Sequence, residues 1–170
     1  MALARPPQSA THDLPARQFV RLTQPLHLRR GGEIEQPVVA YESWGQLNAA
    51  RDNAVLLFTG LSPSAHAASS PLDPKPGWWE SMIGAGRQID TSRYFVVCVN
   101  SLGSPFGSSG PSSIDPRTGR PYGISFPEIT VEDIATAGHE VVRSLGIERV
   151  AAVVGPSLGG MTVLAYCALF

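Results

Sequence analysis

The chain has 170 residues, 43% of them apolar and 16% charged, which excludes a disordered chain and leaves room for one domain with its own core. A formal net charge of −1 excludes the basic footprint of a nucleic-acid binder. The 17 glycines and 15 prolines predict long loops, and two cysteines, Cys98 and Cys167, are too few for a disulfide framework and fit a reducing compartment.

Residues 1–16 are rich in Ala, Pro and small polar side chains and read as a mobile lead-in, with no apolar core of a signal peptide. No run of eighteen apolar residues occurs, so the expectation is a soluble, cytoplasmic protein. From Arg17 to Gly32, apolar Phe19, Leu22, Leu26 and Leu28 among polar residues, with Gly31-Gly32 as a break, predict an antiparallel hairpin. Pro37 to Trp44 predicts a further strand, stopped by Gly45.

Asn53 to Phe58 (NAVLLF) is a continuous apolar run, the pattern of a strand buried on both faces of a parallel sheet. Residues 60–76 follow as a long, Pro-rich loop of the kind that often carries function. Trp78 to Ile83 suggests a short helix, and Trp78-Trp79 read as core aromatics rather than a binding platform. Tyr94 to Val99 is the second buried-type strand, with Cys98 as an inert core thiol. A very long Gly-, Ser- and Pro-rich loop spans 100–125.

Thr130 to Leu145 predicts a helix. Thr130 and Asp133 form a capping box, Val131, Ile134, Val141, Val142 and Leu145 keep helical spacing, and Gly146 supplies the stop. Gly138 weakens its middle by about 1 kcal/mol relative to Ala. Arg149 to Val154 is the third buried-type strand, and Met161 to Phe170 an apolar helix. Strand, helix, strand, tight turn and helix in that order predict an α/β fold with a mostly parallel sheet. Because the chain stops at Phe170 in an uncapped apolar helix, the expectation is that 17–170 are the front part of a domain whose C-terminal half is missing, and that these residues alone are inactive.

Gly155-Pro156-Ser157-Leu158-Gly159 matches the G-x-S-x-G nucleophile elbow. The chemistry explains the spacing. The serine must stand at the tip of a sharp strand-to-helix turn, and flanking glycines let strand and helix approach without a Cβ clash. The next N–H, on Leu158, then lies at a helix start that can stabilise an oxyanion. The five-residue pattern alone is weak; the apolar strand before it and the helix after it make it specific. A second oxyanion donor is expected from the Phe58-Thr59-Gly60 turn.

In this arrangement the order is Ser, then acid, then His, yet His12, His27, His66 and His139 all precede Ser157. His66 reads as a loop-structural residue and His139 as a packed or exposed helix residue. Gly103 to Gly110 lacks the Gly-Lys-Ser/Thr of a phosphate loop, Gly155–Gly160 is not a dinucleotide fingerprint, and no cluster has metal-ligand spacing.

Two longer stretches are more specific than the elbow. Gly77–Ser104 (GWWESMIGAGRQIDTSRYFVVCVNSLGS) and Gly107–Ile134 (GSSGPSSIDPRTGRPYGISFPEITVEDI) resemble the homoserine O-acyltransferase family, α/β-hydrolase-fold enzymes. The resemblance runs from about residue 17 to the end and covers about the first half of a typical member. It implies Ser157 as the acylated nucleophile, with the N–H groups of Leu158 and Phe58 as the oxyanion hole and Thr59 and Gly60 at the acceptor site. It also implies acyl-CoA (succinyl or acetyl) as co-substrate, no metal or prosthetic group, a homodimer, and a triad Asp and His downstream of Phe170.

The chain departs from the usual family loop T-G-[DN]-[AS]-H. Thr59-Gly60-Leu61-Ser62-Pro63-Ser64-Ala65-His66 is longer before the His, and the elbow carries Pro156 and Leu158 where many members have Gly and Met. The loop looks like that of the serine O-succinyltransferase branch, which implies Leu61, Ser62, Pro63 and Ser64 as acceptor contacts and L-serine as acceptor. One methylene of pocket depth discriminates by only about 1–3 kcal/mol, so L-homoserine stays open as acceptor. The elbow alone leaves an esterase or thioesterase open as well.

Overall fold

The computed structural model describes residues 15–170. All but the last two residues of the expected lead-in lie outside the described residues, as does His12. Eleven strands and two α-helices follow in chain order among the described residues: β1 (Gln18–Arg21), β2 (Leu26–His27), β3 (Glu33–Ile34), β4 (Val38–Trp44), β5 (Ala54–Phe58), β6 (Ile83–Gly84), β7 (Ile89–Asp90), β8 (Phe95–Val99), β9 (Ile114–Asp115), β10 (Arg120–Pro121), α1 (Val131–Ser144), β11 (Val150–Val154) and α2 (Leu158–Leu169).

The main sheet has the order β1-β4-β8-β5-β11. β5 is parallel to both β8 and β11, while β4 runs antiparallel to β1 and β8. All five residues of β5 are buried, as its unbroken apolar run requires. Leu56 and Phe58 face a core shared with Ile134 and Val141 of α1 and Tyr166 of α2. Val55 and Leu57 face a second core with Trp44, Ala65, Ala67 and Cys98. Each large side chain so buried contributes about 1.5–3 kcal/mol, and β5 collects this from both faces. Trp78 and Trp79 stack on each other and pack against the second core, in line with the core reading.

α1 begins as its sequence dictates. Thr130 and Asp133 form the reciprocal capping box, and the same Asp133 carboxylate accepts the backbone N–H of Arg29 at 2.8 Å, tying the β2–β3 hairpin to the helix start. Gly146, at φ 68°, follows the helix. Gly138 has a purpose that helix propensity hides: a Cβ there would lie 2.6 Å from Cζ of Phe58, a ring buried completely. We therefore expect Gly138→Ala to destabilise the protein by about 2 kcal/mol through overpacking, although propensity alone would stabilise it by about 1 kcal/mol. Chemical denaturation of the two proteins tests the sign.

Three expectations need correction. The hairpin over 17–32 is divided: Leu26 pairs with Ile34 and His27 with Glu33 across Gly31-Gly32, whereas β1 leaves its neighbour to pair with β4. β1 can do so because β4 offers a seven-residue strand with a free edge. The helix expected over 78–83 is a set of turns. The N–H groups of Trp78 and Trp79 bond to the carbonyls of His66 and Ala67, and the Glu80 carboxylate accepts from Ser69 N and Gly77 N, so the amides that would start a helix bond to the 60–76 loop instead. Finally, α2 starts at Leu158, three residues before the expected Met161. The 100–125 loop also contains the β9–β10 pair and a 3₁₀ turn at Gly123–Ser125.

Candidate active site

β11 runs directly into Gly155-Pro156, Ser157 stands at the turn, and α2 begins at the next residue. Ser157 has φ 54° and ψ −120°, in the left-handed region that costs a non-glycine residue about 1–3 kcal/mol. The strain persists because the surroundings fix it. Gly159 N donates to Pro156 O at 2.8 Å, Gly160 N to Ser157 O at 2.9 Å and Met161 N to Ser157 O at 3.2 Å. A Cβ on Gly155 would lie 2.9 Å from Cα of Gly159, so both glycines of the motif are needed for strand and helix to meet. The side chain of Ser157 is exposed. Leu158 is the first residue of α2, so its N–H has no partner within the helix.

The end of β5 closes on this turn. Gly159 packs so tightly on the Phe58 and Thr59 carbonyls that a Cβ would lie 2.9 Å from Thr59 O and closer still to Phe58 O. A Cβ on Gly60 would sit 3.7 Å from Pro156 O and 3.6 Å from Cδ of Pro63. The fold thus brings Phe58, Thr59 and Gly60 to the elbow, with Pro63 beside Gly60. Phe58 and Thr59 are buried, and Thr59 Oγ1 is 3.2 Å from Ser101 Oγ. Leu61 is 79% exposed and Ser62 is also exposed, whereas Pro63 and Ser64 are half-buried. Ser64 accepts the Trp78 indole N–H through its carbonyl at 2.8 Å.

Among the described residues, no histidine forms a hydrogen bond with Ser157. Both ring nitrogens of His66 are engaged, Nδ1 with Glu42 Oε2 at 2.9 Å and Nε2 with the Lys75 carbonyl at 2.8 Å. His139 Nδ1 contacts Tyr166 Oη at 3.2 Å and its ring stacks on Phe170 at 3.9 Å; burial holds its pKa below the ordinary histidine value. His66 is structural and His139 packed, as expected. Cys98 is buried, and burial followed by the charge of Glu42 pushes its thiol well up, as an inert core thiol requires.

The sequence reading missed the groups that brace this site. Asn100, at the end of β8, accepts the Ala65 N–H through Oδ1 at 2.6 Å. Glu42, 1% exposed, sits in the middle of β4 on the His66 ring. The one available sign was an acidic residue inside the apolar run PVVAYESW. Two cavities, of about 500 Å³ beside Arg17, Phe19 and Tyr122 and about 590 Å³ beside Trp44, Leu72 and Arg87, do not include Ser157 in their walls. Among the described residues, no helix is long and apolar enough to cross a membrane.

A family profile described as the alpha/beta hydrolase fold matches residues 53–170. A serine O-succinyltransferase of Litchfieldella anticariensis is 57% identical over 155 residues, 91% of this chain and 42% of that protein. An L-serine/homoserine O-acetyltransferase of Streptomyces lavendulae is 59% identical over 154 residues, 91% of this chain and 41% of that protein. Among solved structures, a homoserine O-acetyltransferase from Bacillus anthracis superposes with a TM-score of 0.82 at 34% identity over 90% of this chain and 43% of that one. An esterase superposes with a TM-score of 0.78 at 37% identity over 86% of this chain and 42% of that one. The chain spans about two fifths of the length of the curated relatives it matches.

Proposed function

This chain belongs to the α/β-hydrolase fold family, and from that premise we propose that it carries the nucleophile half of an acyl-CoA-dependent O-acyltransferase acting on the hydroxyl of L-serine. The observation that carries the reading is Ser157, exposed and held at φ 54° between β11 and α2, in a chain 57% and 59% identical to two serine-acting acyltransferases.

In the proposed reaction, Ser157 Oγ attacks the thioester carbonyl of an acyl-CoA and passes its proton to a base supplied by residues outside this chain. The oxyanion is held by the Leu158 N–H at the start of α2 and by the Phe58 N–H at the end of β5, the first of which is worth about 3–4 kcal/mol in sites of this kind. The C–S bond breaks, CoA leaves with a proton, and an acyl ester remains on Ser157. The acceptor hydroxyl then attacks that ester and Ser157 regains its proton. Thr59, Gly60 and the run Leu61–Ser64 line the acceptor side, where the Pro63 ring beside Gly60 shortens the space available to a side chain. Transfer rather than hydrolysis requires that water be kept from the acyl ester. The reading needs no metal or prosthetic group, and places the enzyme in the cytoplasm as a homodimer.

A second reading, an esterase, is supported by the superposition on a solved esterase at 37% identity. CoA release from succinyl-CoA and from acetyl-CoA, measured on the longer protein with and without L-serine or L-homoserine, separates the two. The expected result is release that depends on the acceptor and is fastest with L-serine. Release at the same rate without an amino acid would make the protein a hydrolase.

A further inference from the structure

The 60–66 run has no strand or helix of its own, and its far end is fixed by a buried cluster of Glu42 on β4 with His66 and Asp73. His66 is 7% exposed and the two carboxylates 1% each. His66 Nε2 lies 2.8 Å from the Lys75 carbonyl oxygen, and Nδ1 lies 2.9 Å from Glu42 Oε2 and 4.0 Å from Asp73 Oδ2.

Counting protons constrains this cluster. A carbonyl oxygen can only accept, so Nε2 must carry a hydrogen. The Nδ1–Oε2 contact also needs a proton between its atoms. The pair is therefore either an imidazolium with a carboxylate or a neutral ring with a carboxylic acid. Both forms contain the same number of protons, one more than an exposed His and Glu hold together above the ordinary histidine range.

We propose that His66 is a positioning residue that holds the 59–66 run in its acceptor-binding shape only while the Glu42–His66 pair keeps this extra proton. The acceptor-binding part rests on the acyltransferase reading; the proton itself rests on geometry alone. Without it, two lone pairs must face each other, either at Nδ1 and Oε2 or, after a change of tautomer, at Nε2 and the Lys75 carbonyl. One contact then opens. The opening reaches the proposed acceptor contacts through short links: Ala65 N to Asn100 Oδ1, Trp78 N to His66 O, and the Trp78 indole to Ser64 O.

The charged and titratable groups facing the pair are Asp73 in the same loop, Arg17 ahead of β1, which acts on Glu42, and Cys98 on β8, opposite Glu42. Burial works against the charged ring of His66, but its bonds to Glu42 and the Lys75 carbonyl outweigh burial and raise its pKa; burial raises Glu42, against the pull of His66. The linked stability is full below the ordinary histidine range and is lost as pH rises through the pair's higher value.

The test is nuclear magnetic resonance of the ring nitrogens in the full chain labelled at histidine. His66 is expected to keep its proton count through the ordinary histidine range, and to change only at higher pH. Glu42→Gln, whose amide can donate to a neutral Nδ1, is expected to remove that alkaline step and leave the amide signals of 64–66 in place. Loss of the His66 proton within the ordinary histidine range overturns the proposal, as does an alkaline step unchanged in Glu42→Gln. Should Glu42→Gln fail to fold, the unsubstituted chain alone decides the first point. In the longer enzyme, the acceptor KM should rise about tenfold across the alkaline step, and a flat KM overturns the positioning role. With acyl transfer absent altogether, the acyltransferase reading falls, and the ring titration still decides whether the proton is held.

Discussion

Ser157→Gly is expected to abolish acyl transfer while stabilising the protein by about 1 kcal/mol. The loss follows from removing the oxygen that would carry the acyl group. The gain follows from the backbone: at φ 54° and ψ −120° a Cβ is strained and glycine is not, and glycine's greater freedom in the unfolded chain offsets only part of that relief. Ser157→Ala separates the two effects, since it loses the hydroxyl but keeps the Cβ; it should be equally inactive and no more stable than the parent. Intact mass after incubation with acyl-CoA reads the first effect, and chemical denaturation the second. An acyl adduct retained on either variant would remove Ser157 from the mechanism.

Gly159→Ala should cost about 3 kcal/mol, at the upper end for overpacking, and should distort the site even where the chain still folds. The added Cβ would meet the carbonyl oxygens of Phe58 and Thr59. These are backbone atoms of a fully buried strand end, so no side chain can swing away to make room. Relief would have to separate the start of α2 from the end of β5, which moves the Leu158 N–H away from the Phe58–Gly60 turn. Gly160→Ala is the control. Its Cβ would lie 3.1 Å from Gly155 O, a tight contact with one atom, and its cost should be clearly smaller. Equal midpoints in urea for the two variants would show that the close packing of α2 on β5 does not constrain the elbow.

Much of this architecture is legible in the order of residues. β5 and β8 announce themselves as short apolar runs because a strand buried on both faces cannot alternate, whereas β11, with the same apolar pattern, lies at the edge of the sheet with Ala151 and Ala152 exposed. α1 is legible from its capping box and spacing, and the elbow from two glycines whose missing side chains are the condition for its shape. What failed was local. The 78–83 segment has helical composition, but its first amides bond to His66 and Ala67, partners twelve residues away that no local pattern reveals. β1 likewise pairs with β4 rather than with its neighbour.

The site divides in the same way. The sequence by itself determined the sharp turn, the serine at its tip and the strand end that faces it, because each is a steric requirement written in neighbouring residues. Only the tertiary structure decided how the 60–66 run is held. Glu42 lies in β4, Asn100 just past β8, and His66 and Asp73 in the long loop between them; apart from one acidic residue in an apolar run, none stands out in its own segment. Their significance lies in burial and in a shared proton, and both exist only once distant segments have been packed together.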